Sequence, residues 1–148
     1  MKIGLLCNAG GHLTEMLCLK GAWEQYDHFF MTQPNKRTGA LDGTVYEVED
    51  PEIKPLSFPG SVLKAFRTLL RERPDVILST GFSWMDIPIF FFAKLMKIHT
   101  IYVESWCMTD GCTGTGKIVK VIADEFLVQW PDAERTCGPK AKYRGGIA

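Results

Sequence analysis

Short apolar runs of strand length recur along the chain and alternate with segments of helical length. Residues 3–7, 28–31, 45–48, 76–78, 100–103 and 126–128 read as strands. The first, fourth and fifth are apolar without alternation, as strands covered on both faces are. Between them, residues 12–23, 61–73, 84–96 and 116–123 read as helices. The segment over 61–73 is the clearest, because Val62, Phe66, Leu69 and Leu70 make one stripe while Lys64, Arg67 and Arg71 recur at spacings of three and four. Ser61 is the expected cap and Pro74 the stop. Residues 33–43 (QPNKRTGALDG) are polar and rich in turn formers, which predicts a loop. The order of elements is βαβ-like and predicts an α/β fold, a doubly wound, mostly parallel sheet flanked by helices.

The chain has 148 residues. That length predicts a single domain over residues 1–148, with no repeat and no linker between separate cores. Lys plus Arg and Asp plus Glu number 17 each, so the net charge is zero and a dedicated nucleic-acid role is not expected. The balance is uneven locally. Lys64, Arg67, Arg71 and Arg73 face one acid, Glu72, in the 61–73 segment, and Lys140, Lys142 and Arg144 cluster near the end. Asp42, Glu47, Glu49, Asp50 and Glu52 form an acidic stretch. Five cysteines, an odd number, imply no disulfide framework, and reduced buried thiols are expected. Residues 1–7 read as a first strand and not as a signal peptide. The longest uncharged apolar run, 87–93, stops at Lys94, far short of the ~20 residues that span a bilayer.

Ligands in open α/β sheets bind at the carboxyl ends of strands, so the residues just beyond each strand are the candidates. After the first come Asn8, Ala9, Gly10, Gly11 and His12, with Glu15 one turn later. Gly10 and Gly11 before a helix let backbone N–H groups approach an anion such as a diphosphate. His12 beside them suits a general base or a phosphate donor, and a tight strand-to-helix turn is the plainer alternative. Glu15 reads as a first-turn carboxylate complementing the helix dipole. Glu104 ends an apolar strand and suits binding a hydroxyl or taking a proton, an ion pair or a helix cap being the alternative. Phe82, Trp84, Trp106 and Trp130 fall near strand ends and suit stacking on a sugar or an isoprenoid; core and partner contact are the alternatives. Residues 111–117 fit G-x-x-x-x-G-K, but Ile118 stands where a P-loop needs Ser or Thr, so a nucleotide-hydrolysing loop is rejected. Cys107 and Cys112 lack a second Cys/His pair, so no metal is expected, and no cofactor either.

GGHLTE from Gly10, RERPDVILSTG from Arg71, IYVES from Ile101, GKIVKVIADEFLVQWP from Gly116 and the ending Tyr143-Arg144-Gly145 together resemble the asparagine-linked glycosylation protein 14 family, which includes bacterial capsule and exopolysaccharide subunits. The resemblance implies the Rossmann-like, acceptor-side N-terminal half of a split GT-B glycosyltransferase. A separate GT-B C-terminal-half subunit would bind the UDP-sugar donor. The Gly-Gly-His turn is also similar to the glycine-rich loop of the peptidoglycan GlcNAc transferase, which acts on a lipid diphosphate. By that resemblance Gly10, Gly11 and His12 face the acceptor diphosphate or the reacting hydroxyl, and Glu104 is the second catalytic candidate. Trp84, Trp106 and Trp130 are the expected contacts to acceptor sugar or lipid. Eukaryotic members carry an N-terminal membrane anchor, whereas this sequence begins directly at its first strand. Peripheral attachment to the cytoplasmic membrane face is therefore expected, through the basic 61–73 helix or through Phe90, Phe91 and Phe92 with Lys94 and Lys97.

The expected function is an acceptor-binding, partner-recruiting subunit of a two-subunit inverting glycosyltransferase that moves a sugar from a UDP donor to a polyprenyl-diphosphate-linked sugar. Alone it should turn over negligibly. The competing reading is a stand-alone Rossmann-like nucleotide-binding module with Gly10, Gly11 and residues 114–117 on phosphates, although the loop lacks G-x-G-x-x-G.

Overall fold

A computed structural model describes residues 1–147. Its centre is a seven-stranded sheet of β1 (Lys2–Cys7), β2 (Asp27–Thr32), β3 (Thr44–Glu47), β4 (Val76–Gly81), β5 (His99–Val103), β6 (Glu125–Val128) and β7 (Ala141–Tyr143). The spatial order is β3-β2-β1-β4-β5-β6-β7 and every pair is parallel. The helices are α1 (Gly11–Cys18), α2 (Lys20–Trp23), α3 (Phe58–Glu72), α4 (Asp86–Leu95), α5 (Gly114–Ile122) and α6 (Pro131–Cys137).

Period-two alternation along the strands feeds two cores, one on each face of the sheet. Leu6, Phe29, Met31, Ile77, Tyr102 and Phe126 point to the face covered by Ala65 and Leu69 of α3 and by Phe90 and Ala93 of α4. Leu5, Cys7, Phe30, Leu78 and Val103 point the other way, onto Leu13 and Met16 of α1 and Trp23 of α2. The Tyr102 and Phe126 rings stack 5.3 Å apart across neighbouring strands.

The six expected strands are present, and the doubly wound parallel sheet is the observed architecture. The helix expected over 12–23 is two helices, broken at Leu19. The 61–73 helix begins earlier, at Phe58, so Ser61 is not its cap; Ser61 is buried and its hydroxyl donates to the Glu49 carbonyl at 2.9 Å. The buried face of α3 is Ser61, Ala65, Thr68 and Leu69, while Leu70 is exposed. The apolar stripe is thus rotated from the one expected: small residues let α3 lie close to the sheet, and Leu63 and Leu70 are left outside. α6 and β7 extend the sheet by one strand beyond those expected.

The expectation of uniformly reduced thiols is overturned. Cys112, in the loop after β5, and Cys137, at the end of α6, have Cα atoms 5.7 Å apart and are disulfide-bonded. The addition of α6 brings together two cysteines 25 positions apart, a pairing no spacing rule reveals. Cys7, Cys18 and Cys107 remain free, and burial pushes the Cys7 thiol up to about 12.

Candidate functional site

Strand order reverses direction between β1 and β4, and the crevice beyond their carboxyl ends is where such sheets hold ligands. A pocket of about 280 Å³ opens there, lined by Asn8, His12, Glu52, Gly81, Ser83, Trp84, Tyr102 and the segment Thr113, Gly114, Thr115. Four loops therefore build it, those after β1, β3, β4 and β5.

The loop after β1 turns at Gly10, whose φ of 88° suits glycine, and α1 starts at Gly11 with no side chain capping it. A Cβ at Gly11 would meet nothing within 4 Å, so packing does not demand glycine there and the helix N-terminus is open to an incoming group. Arg37, from the loop after β2, lies alongside, its guanidinium 3.4 Å from the Gly10 carbonyl and from the Thr14 hydroxyl. The sequence showed Arg37 only as part of a polar loop.

His12 lines the pocket, its Nδ1 3.3 Å from Glu15 Oε2. A carboxylate only accepts, so Nδ1 carries the proton and Nε2 keeps the lone pair. The hydrogen bond to Glu15 raises the His12 pKa, outweighing the opposing effect of burial. The ring rests against the end of β4: a Cβ at Gly81, where φ is 122°, would come within 2.9 Å of it.

Glu15 is not the first-turn carboxylate expected to complement the helix dipole, because α1 begins at Gly11 and places it beyond the first turn. It is fully buried, and its other oxygen accepts from the Ser105 hydroxyl at 2.9 Å and the Trp106 N–H at 3.0 Å. It therefore ties α1 to the loop after β5 while orienting His12. Helical spacing shows which face a residue occupies but not which distant loop arrives there.

Glu104 is 1% exposed and is absent from the pocket lining. Oε1 accepts from the Ser105 N–H at 3.0 Å, and Oε2 accepts from the Thr113 N–H at 3.0 Å and its hydroxyl at 3.2 Å. Thr113 in turn caps α5, its hydroxyl accepting from the Gly116 N–H at 2.9 Å. Burial raises the Glu104 pKa against those hydrogen bonds. The geometry gives Glu104 a positioning role: it fixes the Thr113–Thr115 wall.

The tryptophans separate. Trp84 lines the pocket and is half exposed, whereas Trp106 and Trp130 sit together beyond β5 and β6, Trp130 Nε1 donating to the Trp106 carbonyl at 2.6 Å. Phe82 is core. Asp86 went unnoticed in the sequence. It is wholly buried beneath the turn after β4, accepting from the Ser79 hydroxyl at 2.7 Å and the Phe82 N–H at 2.5 Å, and burial pushes its carboxyl up to about 7. The acidic stretch also contributes, since buried Asp50 accepts from the Asn8 side-chain amide at 3.3 Å.

Residues 48–147 match the sequence model of the family described as "Oligosaccharide biosynthesis protein Alg14 like". The human UDP-N-acetylglucosamine transferase subunit ALG14 is 34% identical over 99% of this chain and 83% of its own length. The chain belongs to the Alg14-like family. The mouse protein of the same name is 35% identical over 56% of the chain and 40% of its own length. In fold, this Alg14-like chain is similar to MurG of Acinetobacter baumannii, with a TM-score of 0.76 at 14% identity, covering 96% of the chain. It spans 44% of that MurG chain, less than half its length. The Alg14-like match begins at Val48, so the Gly10, Gly11 and His12 turn lies outside it and within the human alignment.

Proposed function

We propose that this chain is the acceptor-binding, partner-recruiting subunit of a two-subunit inverting glycosyltransferase. The observation that carries the reading is the His12–Glu15 pair, set at an uncapped helix N-terminus and opening on the switch-point pocket of an Alg14-like chain. The relatives' names favour UDP-N-acetylglucosamine as the donor, held by a GT-B C-terminal-half partner. The acceptor is a sugar on a polyprenyl diphosphate. Its diphosphate meets the N–H groups at Gly10 and Gly11 with Arg37 beside them, and its sugar enters the pocket under Trp84.

His12 Nε2 removes the proton of the acceptor hydroxyl as its oxygen attacks the donor's anomeric carbon. The bond from that carbon to the donor phosphate breaks with inversion, UDP leaves with the electron pair, and the proton stays on His12. Glu15 stabilises the resulting imidazolium and holds its ring. Thr113, fixed by Glu104, keeps the opposite wall in place.

The membrane-facing surface is the outer side of α3 and α4. Leu63, Leu70, Phe91 and Leu95 are exposed there among Lys64, Arg67, Arg71, Lys94 and Lys97. The Phe66 and Phe92 rings, 4.6 Å apart, join the two helices into one surface. Of the triplet, Phe90 is core, Phe92 packs partly against it and Phe91 faces out. Contact with the cytoplasmic face would be made there, the basic side chains meeting anionic headgroups; among the described residues no helix is long and apolar enough to cross a membrane.

Calorimetry tests this reading against a stand-alone nucleotide module. The isolated chain should bind a short-prenyl diphosphate sugar and should bind UDP-sugars, NAD and ATP negligibly. Tight nucleotide binding without a partner would favour the module.

A further inference from the structure

His12 is held from β4 as well as from Glu15. Along the β1–β4 pair Leu6 lies opposite Ser79 but Cys7 lies opposite Gly81, so Thr80 is one extra residue, a bulge at the carboxyl end of β4. Bulges next to sites re-aim side chains. Thr80 is wholly buried, and its hydroxyl donates to the His12 carbonyl at 2.7 Å. Along the same strand Ile77 and Leu78 belong to opposite cores, and Ser79 faces α4, where its hydroxyl donates to Asp86. Alternation therefore gives α4 one residue of the strand end and α1 the next.

The bulge is fixed from both sides. The Gly81 N–H donates to the Ser79 hydroxyl at 3.1 Å, the Phe82 N–H to Asp86 at 2.5 Å, and the Gly81 carbonyl accepts from the Asn8 N–H at 2.8 Å. Gly81 then presents a face with no side chain, and the His12 imidazole fills that space: an added Cβ would meet its Cε1 and Nδ1 at 2.9 Å. Nδ1 is also the nitrogen that faces Glu15. Gly81 and Glu15 thus both engage the Nδ1 edge of the ring and leave Nε2 on the other edge.

A second holder is needed. The His12–Glu15 distance of 3.3 Å lies beyond the usual hydrogen-bond range of about 2.7–3.2 Å, so Glu15 alone is a weak tether for a ring with two free torsions. The Thr80 hydroxyl locates the backbone from which the ring springs, and Gly81 bounds the ring itself. We infer that Thr80 is a positioning residue for His12: through the His12 carbonyl, its hydroxyl keeps the imidazole in the slot over Gly81, so that Nδ1 stays on Glu15 and Nε2 stays free for the acceptor hydroxyl. This rests on the reading of His12 as the base, and it adds a residue outside the pocket lining on which that base depends.

Thr80→Val removes the donor and Thr80→Ser keeps it. Neither changes a charge near the ring, where Glu15 on α1, Asp86 at the start of α4 and Glu104 after β5 are the groups that act on it. The readout is NMR of the full chain without partner or turnover, following the His12 imidazole, assigned with His12→Ala, with His28 and His99 as internal references. Wild-type His12 should be the Nδ1–H tautomer and titrate above the usual 6.5, because Glu15 accepts that hydrogen. Thr80→Val should move the ring toward mixed tautomers and its midpoint down toward 6.5, while Thr80→Ser should match wild type. In the reconstituted pair Thr80→Val should lower kcat about 10–100-fold, with KM for the acceptor within about twofold. A wild-type tautomer and midpoint in Thr80→Val, an equal change in Thr80→Ser, or a rise in KM alone overturns the positioning role and leaves His12 as the base. Should Thr80→Val not fold, Thr80→Ala is read in the same way. Mixed tautomers and an ordinary midpoint in wild type overturn the His12–Glu15 pair and the positioning role with it.

Discussion

Gly116→Ala is a test of how rigidly the wall of the pocket is held. A Cβ at Gly116 would lie 2.1 Å from Glu104 Oε2 and 2.9 Å from Thr113 Oγ. Both atoms are anchored, so neither can move aside cheaply: Oε2 holds the Thr113 N–H and hydroxyl, and Glu104 itself ends β5 with 1% exposure. Admitting the methyl group costs both Thr113 bonds, and hydrogen bonds to a charged group are worth about 1.5–3 kcal/mol each. The better helix propensity of alanine returns about 1 kcal/mol. The net loss is roughly 2–5 kcal/mol, and at this chain length each kilocalorie lowers the midpoint by about 2–4 °C. Urea unfolding followed by circular dichroism measures it. Gly114→Ala is the control, since nothing lies within 4 Å of its Cβ, and it should be neutral or stabilising by up to about 1 kcal/mol. If Gly116→Ala matched its control, Glu104 would not be locked by Thr113 and the positioning role given to it would be wrong.

Three further expectations follow from the site. His12→Ala should lower sugar transfer by the reconstituted pair about 10²–10⁴-fold with subunit association intact; full activity would make His12 a structural residue. The hydrogen bond to Glu15 raises the His12 pKa, and a base works only when unprotonated, so kcat/KM should fall as pH drops through a midpoint above the usual 6.5. Glu15→Gln removes the largest cause of that shift and should move the acid limb to lower pH; an unmoved limb would assign it to another group. Thiol titration of unfolded, non-reduced protein should count three cysteines, and reduction should expose five and lower stability by roughly 3–4 kcal/mol, as closing a loop of 25 residues implies; five thiols before reduction would contradict the pairing.

The fold was legible because buried parallel strands leave unbroken apolar runs, and the Gly10–His12 turn because glycine pairs mark strand-to-helix junctions. α6 was less visible: it is only seven residues, Pro131–Cys137, and its two inward side chains, Ala133 and Cys137, make no apolar stripe. Its absence from the expected elements also hid the disulfide. At the site, the strand-end rule placed His12 and Trp84 on the pocket, and Asn8 and Ser83 stood beside them in the same loops. In the sequence Glu15 read as a helix-dipole carboxylate and Glu104 as the carboxylate ending a strand. Only the loops that fold onto them distinguish the one that touches His12 from the one that holds Thr113.

The most direct measurement is sugar transfer with separated and combined subunits. Purified chain, purified donor-binding partner and the mixture of the two are each given labelled UDP-N-acetylglucosamine and a prenyl-diphosphate sugar. Only the mixture should form product, with a β linkage from an α-linked donor. Transfer by this chain alone, or a retained anomeric configuration, would contradict the split inverting enzyme.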